Sequence, residues 1–151
     1  MKILIMGLPG SGKTTLAEKL QIELHKNGPC EWINADDLRK ETNDWDFSAE
    51  GRIRQATRMR LLANKATEQG FNIICDFVCP TKETRTIFEG DLVVWMDTVQ
   101  HSEYKDTNQM FEKPTEDEYN IRIDSFSSDS WAPTLADLID ILNSVPTAKE
   151  E

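Results

Sequence analysis

The sequence predicts an α/β fold, a mostly parallel five-stranded sheet flanked by helices. Three observations carry this. Short apolar runs alternate with stretches of helical periodicity along the 151 residues. The first run opens into a glycine-rich turn, Gly7-Leu8-Pro9-Gly10-Ser11-Gly12-Lys13-Thr14. Carboxylates stand at or just after the ends of later runs, at Asp36, Asp76 and Asp97.

That turn fits G-x-x-x-x-G-K-[ST] at every fixed position, which makes the fold one of P-loop NTPase type. Average residue usage makes a chance match in such a chain roughly a one-in-a-few-hundred event. Gly7, Gly10 and Gly12 allow backbone conformations that a Cβ would block, so successive N–H groups can face one concavity. A helix starting near Lys13 adds its positive end to the same anion. Gly7 through Thr15, with Leu8, Pro9 and Ser11 between the glycines, is the candidate nucleotide-binding segment. Lys13 can reach the β/γ oxygens of ATP, and the Thr14 hydroxyl can take a place on Mg²⁺.

The elements follow in order. Residues 2–6 form the first strand. Leu16, Leu20 and Leu24 recur at helical spacing from Lys13 to about Lys26, and Asn27-Gly28-Pro29 stops that helix. Cys30 to Asn34 is a second strand, with a helical turn through Arg39 after it. Residues 41–48 are polar apart from Trp45 and Phe47 and read as a loop. Ser48 can cap a helix from Ala49 to Gln69 whose buried stripe holds Ile53, Ala56, Ala63 and Ala66. Phe71 to Cys75, Leu92 to Met96 and Tyr119 to Ile123 supply the remaining strands. Pro80 to Glu89 is a loop and short helix, while residues 98–118 are polar without clear period. Ser125 to Ser130 reads as a loop, and Pro133 to Asn143 as a last amphipathic helix. Residues 1–145 read as one domain and 146–151 as a frayed tail.

Composition narrows the function classes. Lys+Arg is 17 against 27 Asp+Glu, a net charge of −10. That disfavours broad nucleic-acid backbone binding but leaves room for a small anionic ligand. No apolar run approaches a membrane span, and the first residues lack a signal-peptide pattern. Cys30, Cys75 and Cys79 form no C-x-x-C pair and suggest no zinc site. Reduced, cytoplasmic thiols are the expectation.

In such sheets ligands sit beyond the carboxyl ends of the strands. Asp36 there could accept a proton from an attacking hydroxyl or hold Mg²⁺ through water; a helix N-cap is the alternative. Asp76 follows an apolar run as a Walker B carboxylate does, so Thr14, Asp36 and Asp76 are the candidate metal ligands. Asp97 reads as structural. Arg39, Arg52, Arg54, Arg58 and Arg60 are the chain's one basic concentration. Arg52 and Gln55 share a helix face beyond the loop with Phe47, a combination suited to a substrate with an anionic group and a planar base. Arg54 and Arg60 read as a solvated face.

Together these residues resemble the adenylylsulfate kinase family over about residues 2–123. Asp36 and Arg39 match its Asp-Gly-Asp-x-x-Arg motif. Asp46-Phe47-Ser48-Ala49-Glu50-Gly51-Arg52 is similar to its Gly-Phe-Ser-x-x-Asp-Arg, with Gln55 where the family has Asn. Phe77-Val78-Cys79-Pro80 stands for its Phe-Ile-Ser-Pro, with Arg85 in register, and Phe111-Glu112-Lys113-Pro114 for Tyr-Glu-x-Pro. The resemblance implies phosphoryl transfer from ATP to the 3′-hydroxyl of adenylyl sulfate with Mg²⁺, Asp36 as base and Lys13 on the phosphates. It implies that Arg39, Phe47, Arg52, Gln55, Phe77, Val78 and Cys79 hold the sulfonucleotide, and it suggests a homodimer. Three features depart from the family pattern. The lid between Asp97 and Phe111 is short and has no Arg, only Lys105 with Lys113 just beyond; Asp46 and Gly51 replace Gly and Asp; and Cys79 replaces Ser. Asn34-x-Asp36-Asp37-x-Arg39 and Ile73-Ile74-Cys75-Asp76 also resemble polynucleotide 5′-hydroxyl kinases. A kinase of another nucleoside, a sugar or a hydroxymethyl base, and a non-catalytic nucleotide-binding module, are the further readings.

Overall fold

A computed structural model describes residues 1–145; the expected tail lies outside the described residues. The elements run β1 (Lys2–Met6), α1 (Lys13–His25), β2 (Cys30–Asn34), α2 (Ala35–Thr42), α3 (Ala49–Glu68), β3 (Asn72–Asp76), α4 (Lys82–Phe88), β4 (Leu92–Met96), α5 (Lys105–Met110), β5 (Ile121–Ile123) and α6 (Ser128–Ser144). The five strands form one sheet in the order β2-β3-β1-β4-β5. Every neighbouring pair is parallel.

Strand side chains alternate between the two faces, and both faces are covered. Ile3 and Ile5 of β1 pack with Leu16, Leu20 and Leu24 of α1 and with Leu135 and Ile139 of α6. Leu4 and Met6 pack on the other face with Ala56, Met59 and Ala63 of α3 and with Phe88 of α4. Burial of each large side chain contributes about 1.5–3 kcal/mol, so β1 is apolar on both faces. The register sets Ile5 beside Asp76 and Asp76 beside Asn34. The carboxyl ends of β2, β3 and β1 thereby meet beside the phosphate loop.

The helices differ from expectation in three places. Ile53 is only half-buried; the buried face of α3 instead begins with Gly51, Arg52 and Gln55 before turning apolar at Ala56. The helix expected from Pro133 starts at Ser128. Trp131 N–H bonds the Ser127 carbonyl, so the first turn forms before the proline. Pro133 deprives only the carbonyl of exposed Asp129 of a helical partner, a small loss at a helix start. Residues 98–118, expected without period, hold α5 and a 3₁₀ turn at Glu116–Glu118. Side-chain bonds build α5 in place of an apolar stripe. Asn108 Oδ1 accepts from the Ser102 N–H and hydroxyl, and its Nδ2 donates to the Ser102 carbonyl.

Two packing devices shape the rim of the site. Arg85, 6% exposed, donates to the carbonyls of Cys79, Pro80 and Glu112 and pairs with Glu118 at 3.2 Å. It joins the loop after β3 to the stretch after α5. Burial would raise the Glu118 carboxyl, but hydrogen bonds from Thr115 and Arg85 outweigh it and hold the group below its usual range. On the other side, residues 44–48 fold back onto α3. A Cβ at Gly51 would lie 2.0 Å from the Asp46 carbonyl oxygen, an impossible approach.

Two outcomes are expected. Alanine is the better helix former by about 1 kcal/mol, yet Gly51→Ala should lower stability by about 2 kcal/mol or more, because the clash is with backbone. Urea melts check the sign. A carboxylate depressed on folding stabilises above its unfolded pKa and loses that contribution as pH falls through the folded value. Glu118→Gln should therefore cost about 1–3 kcal/mol at pH 7. Melts at descending pH should show the gap to wild type closing only in acid.

Candidate active site

The phosphate loop spans β1 to α1. Gly7 is required by close approach: a Cβ there would meet the Met96 carbonyl at 2.6 Å. Gly12, at φ 95°, turns the chain into α1 from the left-handed region. Lys13 is 9% exposed, and its Nζ donates to the Leu8 carbonyl at 2.9 Å. Burial pulls its pKa down to about 8 against the pull of Asp76 and Asp36. The loop thus holds a desolvated cation for which a bound anion is the natural partner. Leu8 is buried, and the Ser11 hydroxyl is buried with no partner. Gly10, Thr14 and Thr15 are exposed and Pro9 half-exposed.

Asp76 lies beneath the loop, 1% exposed. Its carboxylate accepts from Trp32 Nε1 at 2.6 Å, Asn34 Nδ2 at 3.3 Å and the Thr14 hydroxyl at 3.2 Å. Burial raises its pKa and these donors oppose that. Among the described residues no three His, Cys, Asp or Glu groups gather as a metal site. Thr14 and Asp76 do offer adjacent hard oxygens, a donor set that suits Mg²⁺ carried on a phosphate.

Asn34 is the cap of α2, the role that was the alternative reading of Asp36. Its Oδ1 accepts from the N–H groups of Asp36 and Asp37, while its Nδ2 reaches Asp76. Asp36, exposed in the first turn of α2, is left with a carboxylate that caps nothing.

One cavity of about 780 Å³ runs from Gly10, Lys13 and Thr14 past Asp36 to Arg39, Phe47, Arg52 and Gln55. Phe77, Val78 and Cys79 line it too, Cys79 with a fully buried thiol pushed up to about 12 by burial. Every expected acceptor-side residue therefore meets the phosphate loop in one space. Arg39 is largely engaged, its Nη1 donating to the carbonyls of Asp44 and Asp46 and its guanidinium 4.4 Å from the Phe47 ring centre. Arg52 lies 5.0 Å from the same centre. Burial first, then the like charge of Arg39, brings its pKa down to about 10. Arg52 Nε and Gln55 Oε1 are buried without partners, and both belong to this cavity. Such atoms are uncommon in finished cores and suit a ligand site.

The other basic residues take different work. Arg54 and Arg58 pair with Asp44, and Arg54 also with Asp46, which pins the loop bearing Phe47. The solvated reading fails for Arg60, whose Nε is buried, and holds for Arg54 only in part. Asp97 pairs with Arg122, in line with its structural reading.

Sequence reasoning missed Trp45, Tyr104, Lys105 and Thr107 on the larger cavity. Trp45 carried a signal as an aromatic in a polar loop, and Lys105 as the lysine of the short lid. It also missed Phe126. This residue, 68% exposed, approaches Gly12 and helps line a second cavity of about 460 Å³ with Thr15, Met96, Ser127 and Ser128.

The chain is similar to known proteins in sequence and in fold. The probable adenylyl-sulfate kinase of Aeropyrum pernix is 36% identical over 85 residues, 55% of this chain and 46% of that protein. The adenylyl-sulfate kinase of Phocaeicola vulgatus is 36% identical over 83 residues, 54% of this chain and 41% of that protein. The matched stretch thus spans under half the length of these relatives. The APS kinase of Mycobacterium tuberculosis, solved in complex with AMPPNP and APS, shares the fold at a TM-score of 0.78 and 20% identity, covering 92% of this chain and 96% of that one. No described helix is long and apolar enough to cross a membrane. The adenylylsulphate kinase family model matches residues 1–138, and the chain belongs to that family.

Proposed function

We propose that this chain is an ATP-dependent kinase that phosphorylates the 3′-hydroxyl of adenylyl sulfate. One observation carries the reading: the phosphate loop, the uncommitted carboxylate of Asp36 and the partnerless atoms of Arg52 and Gln55 share a single cavity. The loop from Gly7 to Thr15 binds the ATP phosphates, and the smaller cavity receives the donor base against Phe126. Lys13 meets the β/γ oxygens, and the incoming charge relieves its desolvation. Thr14 and Asp76 would hold Mg²⁺, which would offset the charge on the phosphates. Asp36 takes the proton from the attacking hydroxyl as the new oxygen–phosphorus bond forms and the γ-phosphoryl group breaks from ADP, which leaves. Arg52 and Gln55 hold the anionic end of the acceptor, with Phe47 beside its base and Arg39 keeping Phe47 in place. Phe77, Val78 and Cys79 close the wall behind it.

Phosphoryl transfer is mostly positioning and charge stabilisation. A lid without arginine therefore leaves Lys105, on the wall of the same cavity, as the cation of that segment nearest the transfer. A homodimer and a place in sulfate assimilation follow the same reading by analogy with the family.

The test is acceptor-stimulated ADP release with adenylyl sulfate, 5′-hydroxyl oligonucleotides and hydroxymethyl-pyrimidine DNA side by side. Stimulation by adenylyl sulfate alone is expected, and stimulation by none of them would leave a nucleotide-binding module. Lys13→Ala should abolish turnover with the fold intact by circular dichroism. Asp36→Asn should lower kcat by about 10²-fold or more with little change in ATP affinity. Weakened ATP binding at unchanged kcat would make Asp36 a ligand residue instead of the base.

A further inference from the structure

Arg52 is held unlike the other arginines that line or brace the site. Arg39 is held by the Asp44 and Asp46 backbone carbonyls, and Arg54, Arg58, Arg85 and Arg122 each have a carboxylate partner. Arg52 has none, and its one side-chain hydrogen bond among the described residues is from Nη2 to the Thr107 hydroxyl, 2.8 Å away. Both residues are 7% exposed and both line the larger cavity. The bond joins the start of α3 to α5, elements 55 residues apart in the chain.

The choice of partner has a chemical consequence. A carboxylate would fix the guanidinium and cancel its charge. A hydroxyl fixes it and leaves the charge whole. The hydroxyl oxygen accepts from Arg52, so its own proton remains to be donated, and no described residue accepts it. The Arg52 Nε–H is likewise buried and unpaired. Three features thus converge in a desolvated space: an uncancelled cation, an unpaired guanidinium N–H and a spare O–H. Such a set suits a tetrahedral oxyanion, and charge-assisted hydrogen bonds are the strong ones there.

We propose that Thr107 is a positioning residue that, with Arg52, forms a clamp for a sulfate or phosphate group. This rests on reading the larger cavity as the acceptor side. The clamp assigns a role to the short helix α5: it orients the acceptor-side arginine and is itself tied down by the anion. Its threonine donates to the ligand while the Asn108 side chain ties the same helix to Ser102.

The test uses the full chain saturated with ADP and Mg²⁺, so that the phosphate loop is filled, and titrates inorganic sulfate by thermal shift. Wild type should be stabilised by sulfate and Arg52→Ala should not. Thr107→Val should weaken sulfate binding about 10-fold, as loss of one charge-assisted bond implies. Thr107→Ser, which keeps the hydroxyl, should stay within about twofold of wild type. In turnover, Thr107→Val should raise KM for adenylyl sulfate by a similar factor and leave KM for ATP unchanged, with Thr107→Ser again restoring it. Sulfate binding that ignores Arg52 or Thr107, or a serine variant no better than valine, overturns the clamp. A valine variant with both KM values raised does the same, since that is what general loosening would produce. The two proposals fail separately. Sulfate held through Arg52 and Thr107 without turnover of adenylyl sulfate keeps the clamp and removes the acceptor assignment. Turnover with an unchanged acceptor KM in Thr107→Val does the reverse.

Discussion

The buried carboxylate of Asp76 is the constraint on which the site depends. It cannot be left bare at 1% exposure, so the chain surrounds it with donors. The donors come from two elements: Trp32 and Asn34 from β2, and Thr14 from the start of α1. Satisfying one charge therefore fixes the phosphate loop against the end of β2. Asn34 extends the effect, because the side chain that donates to Asp76 also accepts from Asp36 and Asp37. The position of α2, with Asp36 and Arg39 on it, is set by the same bonds that hold the loop. Moving the proposed base relative to the phosphates would uncover Asp76.

Electrostatics explain how a chain of net charge −10 makes an anion site. Most of its arginines are neutralised locally, so the positive potential is not spread over the surface. Asp44 binds Arg54 and Arg58, which hold it well below the usual carboxylate range, and Asp46 is held low by Ser48 first and then by Arg54. Their backbone carbonyls also take up Arg39. Lys13 and Arg52 are among the cations without a carboxylate partner, and both are desolvated in one cavity. Low dielectric strengthens whatever they bind. Two buried cations focus a polyanionic ligand more sharply than a basic face would, and the acidic exterior deters longer polyanions.

Much of this was legible in the residues. The phosphate loop, five strands and the long capped helix follow from glycine spacing, apolar runs and Ser48, because those signals are local. Asp36, Arg52, Gln55 and Phe47 stood out as types in a pattern, and the fold brings them to one cavity. What was hidden depends on distance in the chain. That Asn34 and not Asp36 caps α2 was hidden because both residue types cap well, and only the tie to Asp76 separates them. Thr107, Tyr104 and Phe126 lie in polar stretches without period, and nothing local marks them. The helix α5 escaped notice because side-chain bonds hold it, and those have no periodicity.

The two departures at positions 46 and 51 lose their force once the loop is seen packed on α3. The related pattern has glycine at the first and aspartate at the second, and this chain has the reverse. The two positions touch: a Cβ at Gly51 would fall on the Asp46 carbonyl. The clash is with backbone, so with the loop packed this way position 51 is held to glycine. The carboxylate stands at position 46 instead. From position 46 it accepts from the Ser48 N–H at 2.9 Å and from Arg54 at 2.8 Å. Those bonds brace the turn on which Phe47 is carried, just ahead of the cap of α3. An exchange between facing positions can thus keep the loop's shape while it erases the match along the sequence, and the aromatic at its tip stays over Arg39 and Arg52.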